Sequence, residues 1–469
     1  MTPTGTTVVA GGGITGLLAA TLLAERGHRV LLADREGELG GLLRAFDFGE
    51  WGRFDYGMHT MFETGIAPLD AFLLGLLPDD EWDISGGNSR DLAGAYVGGR
   101  LQRNSPYADL RNAPPAVHAR YVADIVERVA GGPPPLPAPG ATAADYLLGR
   151  FGPAITAAVH GPALESIHRR PLAELSVLAA RTLPLDRVLL WEEDETRART
   201  DADAGLRAVV GWPEQRTLPA ERSSGRRTFY PRAYGMHRVV EALERRLRAA
   251  GGRAVTGCEI ASLEIGGNGI RAAELRHASG AERIDDVALL VWTTGLPGLG
   301  ALAGVPLPGR PDAPSVTSIV CLATDEPLAV GDLHYYFSLE PGTATYRVTT
   351  PAAYCSGAAR NGCEPATVEL LLDPAQGVGE EAAAAIALDE LRATGALAPG
   401  NAVRFCRAVH LRSGFPMPTV RNAALLDTVR DGIAELRLGN VVTAGVLATP
   451  GVFFQTDAII DLWRKLEAL

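Results

Sequence analysis

The stretch TTVVAGGGITGLLAATLLAERGHRVLLADREG, residues 6–37, decides the fold. Val8 to Ala10 end a buried strand, and Gly11, Gly13 and Gly16 form a G-x-G-x-x-G turn that encloses Ile14 and Thr15. Leu17 to Arg26 read as a helix with an Ala/Leu face, Gly27 caps it, and HRVLLAD is a second strand. Glycines at these positions allow a tight turn, close approach of backbone to a pyrophosphate, and packing of helix on strand. The helix N-terminus then stabilises phosphate charge. Asp34 ends the second strand, where a carboxylate accepts both ribose hydroxyls of a dinucleotide, with Arg35 beside it. A glycine-rich turn alone is weak support for such a site. Here strand, turn, helix, strand and acid follow in the required order.

The rest of the composition sets bounds. A chain of 469 residues buries enough surface for two or three domains. Hydrophobic residues make up 46% and charged residues 21%, as in ordinary globular proteins. The net charge of −11 disfavours a nucleic-acid partner, because phosphate binding needs a basic footprint. Lysine occurs once, at Lys465, which removes most Schiff-base chemistry. Five cysteines, Cys258, Cys321, Cys355, Cys363 and Cys406, show no paired spacing, so reduced thiols and no metal site are expected. No apolar run reaches the ~18 residues of a membrane span, and no leader-like segment precedes the first strand. A cytoplasmic protein acting on a small molecule is the expectation.

Directly after Asp34 comes REGELGGLLRAF, with Gly40, Gly41 and Leu42 following a charged turn. This resembles the extended fingerprint of FAD-binding proteins of the glutathione reductase-like superfamily, in which a second Gly-Gly pair lies close to the cofactor phosphates. FAD is therefore the cofactor that the resemblance implies. Three further stretches extend it. TFYPRAYGMHRVVEALERRLRAAGGRAVTGCEIASLE (228–264) resembles the helix and return strand of these flavoproteins, where the residue matching Ile260 touches adenine through its backbone. DDVALLVWTTGLPGL, containing Thr294, resembles the strand and turn that follow. RLGNVVTAGVLATPGVFFQTDAIIDLW (437–463) resembles the C-terminal flavin motif. There a strand ends in Ala444-Gly445, Val446 follows it, Gly451, Val452, Phe453 and Phe454 lie in the loop, and a helix N-terminus faces the isoalloxazine. Many relatives carry an acid or arginine where this chain has Val446.

The resemblance implies an α/β fold: a glutathione reductase-like Rossmann FAD-binding domain with an inserted α+β substrate domain containing an antiparallel sheet. The FAD domain is expected to be discontinuous, from 1–65, 229–312 and 410–469, with 66–228 and 313–409 forming the substrate domain. A proline-rich linker at AGGPPPLPAPG (130–140) leads into helical segments. Residues 200 to 228 lack periodicity and read as irregular. Strands are expected at SVTSIVCLAT, LHYYFSL, TYRVTT and TVELLLD, and a helix at GEEAAAAIALDELRATGAL.

In RFDYGMHTMFETG (53–65) one histidine sits in an apolar, glycine-bearing run. The segment Gly57-Met58-His59 resembles the Gly-x-His motif of UDP-galactopyranose mutase-like proteins, which lies near the flavin face. His59 is thus the candidate reactive residue, as part of the cofactor environment rather than as a base; the alternative is a buried histidine satisfied by backbone. His237, in a similarly spelled YGMH, reads as an ordinary helix-start residue. Tyr336, Arg412 and Phe454 are the substrate-binding candidates. Alternation sends Tyr335 to the face opposite His334 and Tyr336; either face could be core, and Tyr346 and Arg347 carry the same ambiguity.

The chain resembles the amine oxidase, protoporphyrinogen oxidase and phytoene desaturase group. That implies an FAD-dependent oxidoreductase taking hydride from CH-CH, CH-NH or CH-OH. The alternative is a redox-neutral, flavin-dependent mutase of a nucleotide sugar similar to UDP-galactopyranose mutase. A GDP dissociation inhibitor-like binding protein, which shares this fold without FAD, is disfavoured by the intact glycine and Asp34 set.

Overall fold

A computed structural model describes residues 5–85, 91–412 and 414–469. Five strands form a parallel sheet in the order Arg253–Val255, Arg29–Ala33, Thr6–Ala10, Val287–Trp292 and Val441–Thr443. Val8, Val9, Leu32, Leu290 and Val291 have essentially no exposed surface, the near-continuous apolar pattern of strands buried on both faces. The first helix, Ile14–Glu25, starts three residues before the expected Leu17. Every residue from Thr15 to Ala24 is buried, so the helix is covered all round rather than along one face. It packs with helices His237–Ala249 and Gln455–Glu467 into one core. The other side of the sheet carries an antiparallel three-stranded sheet (Cys258–Gly266, Gly269–His277, Gly280–Asp285) and helices Leu296–Leu302 and Val420–Glu435.

A second sheet has seven strands, in the order Val403–His410, Val316–Thr324, Glu364–Leu372, Thr345–Thr349, Tyr335–Ser338, Ala93–Val97 and Arg100–Gln102. It is mixed rather than purely antiparallel, because Tyr335–Ser338 pairs parallel to Ala93–Val97. Strand alternation gives it two distinct faces. One, with Val320, Leu322, Tyr336, Val348, Val368 and Leu370, is sealed by Ala383, Ala387 and Leu391 of helix Glu380–Ala393. The other carries Tyr335, Phe337, Arg347, Glu369 and Cys321, which the strand registers bring to one side.

A helical layer (Pro115–Val129, Ala143–Ile155, Gly161–His168) adjoins this sheet, its core including Ile125, Phe151, Leu164, Tyr346 and Leu371. Thr142 starts the second of these helices with a capping box, its hydroxyl accepting from the Asp145 N–H while the Asp145 carboxylate accepts from the Thr142 N–H.

Two expectations are corrected. Residues 200 to 228 are not simply irregular: helices Glu193–Ala202 and Ala204–Val209 run into them. The first of these buries only Thr196 and Thr200, so it leaves no apolar period in the sequence. Residues 67–85, expected on the substrate side, pack elsewhere: Leu69, Leu73, Leu76 and Trp82 join the core of the parallel-sheet domain.

Candidate functional site

The first half of the site is the turn after the first strand. Gly13 caps helix Ile14–Glu25, whose first turn holds no acidic side chain. The leading N–H groups of a helix have no intrahelical acceptors, so an anion is stabilised there. The glycines are required by proximity. A Cβ on Gly11 would lie 2.6 Å from Thr293 Oγ1 and 2.7 Å from Thr294 Cγ2, and one on Gly16 would overlap the Gly11 carbonyl oxygen. The second glycine pair closes on the first: the Gly40 N–H donates to Gly12 O (2.7 Å), and a Cβ on Gly41 would sit 3.0 Å from Gly13 Cα. The two glycine sets, 24 or more residues apart in sequence, thus meet in one cradle whose walls are backbone. Asp34 closes it on one side, its carboxylate accepting from the Gly12 N–H and from the Glu36 N–H (2.7 Å). The return segment runs past the same acid, since Asp34 N–H donates to Val255 O (2.9 Å) and Cys258 N–H to Asp34 O (2.8 Å). Ile260 follows two residues on, partly buried. Arg35 points outward and, among the described residues, pairs with its neighbour Glu36 at 3.5 Å.

The C-terminal loop comes up beside this cradle. Ala444 N–H donates to Trp292 O (2.9 Å), and a Cβ on Gly445 would sit 3.3 Å from Thr293 O. Arg430 holds the loop through the carbonyls of Leu447 (3.0 Å) and Ala448 (3.2 Å). Lys465 donates to Thr443 O (2.8 Å), Thr449 Oγ1 (2.6 Å) and Asp461 Oδ2 (2.8 Å). All three ammonium protons are therefore used in bracing the loop. Three large apolar side chains of the candidate segments remain half exposed: Leu42 (54%), Val446 (47%) and Phe454 (51%). Gly451 and Val452 lie in the same loop, where Val452 O accepts from Leu447 N–H (2.7 Å).

The second half of the site is the Gly57-Met58-His59 turn against the seven-stranded sheet. Glu369 Oε1 accepts from the Met58 N–H (3.2 Å) and from Arg347 Nε (2.6 Å), and Arg347 Nη2 donates to Met58 O (3.4 Å). His59 Nδ1 is out of contact with solvent and has no hydrogen-bond partner among the described residues. Burial, then the Arg347 guanidinium, pushes the His59 ring down to about 4, against a smaller upward pull from Glu369. It is a neutral imidazole at neutral pH. The strand before it buries Asp55, which accepts from Tyr230 Oη (2.6 Å) and the Met236 N–H (3.1 Å). Desolvation raises Asp55 to about 7 despite these bonds.

Contacts join the two halves. Gln455, at the start of the last helix, lies 2.9 Å from Met61 Sδ. A line of rings runs from Phe454 through Phe453, Phe415 and Tyr346 to Phe337, each pair 5.5–5.9 Å apart. Arg347 stands 5.9 Å from the Tyr335 ring and 6.0 Å from that of Phe337. Beyond Tyr335 a cavity of about 400 Å³ opens, lined by Asp91, Tyr107, Arg187, Trp212 and Arg222 among others.

The substrate candidates fare unevenly. Phe454 belongs to the ring line. Tyr336 does not reach this side: it is 1% exposed beneath helix Glu380–Ala393, its hydroxyl 3.3 Å from Thr394 Oγ1. Tyr335 stands on the site face instead. Arg412 is largely exposed and approaches Glu36 at 3.8 Å, on the Asp34 side of the cradle rather than beside His59. His237 opens its helix as expected, with burial and then Arg53 lowering its affinity for a proton. Glu369 and Phe415 were not singled out from the sequence. The signal for Glu369 is one acid inside the apolar run TVELLLD, and that for Phe415 is an aromatic beside two prolines.

Residues 9–72 match the family described as NAD(P)-binding Rossmann-like domain. A search of curated protein sequences returns no match. Among solved structures, reduced UDP-galactopyranose mutase superposes with a TM-score of 0.74 at 16% identity, over 99% of this chain and 96% of that one. A candidate protoporphyrinogen oxidase from Exiguobacterium sp. 255-15 gives 0.67 at 15% identity, over 100% and 99%. An oxidoreductase from Methanosarcina mazei gives 0.60 at 15% identity, over 98% and 100%. At such identities the likeness is one of fold. The chain has a dinucleotide-binding Rossmann-like domain joined to a mixed-sheet domain, in the arrangement seen in UDP-galactopyranose mutase and in the Exiguobacterium protein.

Proposed function

We propose that the protein binds FAD and oxidises a small organic substrate by hydride transfer from a CH-CH, CH-NH or CH-OH group. One observation carries this reading. The glycine cradle, the C-terminal loop and the segment after the Gly57-Met58-His59 turn adjoin in turn along one wall: Gly445 lies against Thr293, Gln455 reaches Met61, and Phe454 begins the line of rings. Bound flavin would supply the hydride acceptor, and the chain's residues do the rest. The helix N-terminus at Gly13 offsets pyrophosphate charge, and Asp34 holds the ribose. His59, neutral at working pH, donates or accepts one hydrogen bond at the reacting end and does not serve as a cationic acid. Phe453, Phe415 and Phe337 keep water from that end, and the cavity beyond Tyr335 takes the body of the substrate. Lys465 is fully engaged in the C-terminal loop, so no lysine takes part in the chemistry.

A nucleotide-sugar mutase is the second reading, favoured by the Gly57-Met58-His59 motif and the fold shared with UDP-galactopyranose mutase. Against it, the loop Val446–Phe454 carries neither arginine nor tyrosine. Anaerobic mixing with amines, polyenes, alcohols and sugar nucleotides separates the two. Bleaching of the flavin by a substrate of the first three kinds supports oxidation. Isomerisation of a sugar nucleotide only after prior chemical reduction, with no bleaching by any compound, supports the mutase.

A further inference from the structure

We infer that Arg347 and Glu369 are positioning residues for His59, fixing the backbone that presents its ring and setting the field around it. This rests on the reading that His59 borders the flavin. Arg347 and Glu369 lie opposite each other on neighbouring strands of the seven-stranded sheet, on the site face. Their side chains are only 19% and 11% exposed.

Taking two charges out of water is costly, and well-packed apolar residues would fill the same space at no such cost. What apolar residues cannot do is bond both backbone groups of one residue. Glu369 takes the Met58 N–H, Arg347 reaches the Met58 carbonyl, and the two are joined at 2.6 Å. The turn is shaped to this pair: Gly57 has φ +102°, and a Cβ there would lie 2.6 Å from Glu369 Oε1. The next residue is His59, so the path of its backbone is fixed from the sheet.

The same pair acts on the ring electrostatically. Among the described residues, Arg347 and Glu369 are the charged groups that act on His59. Arg347 disfavours the protonated ring and Glu369 favours it. Removing one charge at a time therefore moves His59 in opposite directions, which a merely structural role does not produce.

The test is a titration of the FAD-loaded protein labelled with 13C-histidine, the His59 signal being assigned by its loss in His59→Gln. Arg347→Gln should raise the midpoint above about 4, and Glu369→Gln should lower it. Both should slow flavin reduction, by about 10-fold, and displace its pH profile in the same two directions. Thr367→Ser, on the same face, should change neither. Shifts of one sign, or none, in the two variants overturn the inference. If Glu369→Gln does not fold, Arg347→Gln decides alone, a rise supporting the inference and an unmoved midpoint refuting it. Opposite shifts in a protein whose flavin spectrum ignores His59→Ala would sink the cofactor placement and leave the positioning role standing.

Discussion

On the proposed reading Asp34 has two tasks. A carboxylate at the end of the second strand suggests ribose binding, and that much follows from sequence. The structure adds that its oxygens already accept from the Gly12 and Glu36 N–H groups, so the acid also braces the phosphate turn. Asp34→Ala should therefore lose charge-assisted bonds to the ribose, on the order of 2–4 kcal/mol of FAD affinity. It should purify partly as apoprotein and melt lower, because bound cofactor stabilises by mass action. FAD content and melting temperature equal to the parent would place the ribose elsewhere.

His59 and His237 form a matched pair. On the proposed reading the phosphate and adenine contacts come from other segments, so His59→Ala should keep FAD but should change the flavin band shape and slow reduction ~10-fold or more. His237→Ala should do neither. Stopped-flow reduction of both variants checks this, and identical behaviour would make His59 a structural histidine.

Asp55 gives a pH signature. Its folded-state pKa, about 7, lies above the unfolded value near 3.8. The folded chain therefore holds a proton that the unfolded chain releases between those values. The stability linked to this group is fully present below about pH 4 and is lost as pH rises through 7, by about 1.4 kcal/mol per pH unit in mid-window. In Asp55→Asn the amide oxygen can still accept from Met236 and the amide nitrogen can donate to Tyr230 Oη, so the fold is kept. Denaturant titrations from pH 4 to 8 should show the parent losing stability relative to Asp55→Asn as pH rises. Parallel curves would mean that Asp55 is ionised throughout.

At the scale of elements, the local rules carry far. The βαβ start, the strands within SVTSIVCLAT, LHYYFSL, TYRVTT and TVELLLD, and the helix Glu380–Ala393 are all legible from period and turn chemistry. Alternation also separates Tyr335 from Tyr336, but not which face meets the site. That depends on helix Glu380–Ala393 covering one side, a tertiary fact. Tyr335→Phe, which removes the hydroxyl bonded to Asp91 at 2.8 Å, should alter substrate affinity or reduction rate with little change in stability. Tyr336→Phe should leave kinetics unchanged and move the melting temperature slightly. The reverse pattern would assign the cleft to the other face. Helix Glu193–Ala202 escaped sequence reading because it is polar on nearly every side and buries two threonines rather than an apolar stripe.

At the scale of the molecule, the glycine cradle is more legible than the His59 turn. The cradle is built from glycines and an acid at short spacing. The contacts that hold the Gly57-Met58-His59 turn join residues 311 positions apart, as between Met58 and Glu369, and no local pattern announces them. The ring line from Phe454 to Phe337 likewise draws on three distant segments. No helix among the described residues is long and apolar enough to cross a membrane. The central claim is that this cradle and wall hold FAD without a covalent link. Four of the five cysteines are buried and none lies in the His59 turn or the C-terminal loop. The most direct test is acid precipitation of the purified protein, with the released flavin identified and counted per chain. The account predicts a yellow protein that gives up one FAD per chain to the supernatant. Colourless protein that cannot be reconstituted with FAD, or flavin retained on the pellet, would contradict it.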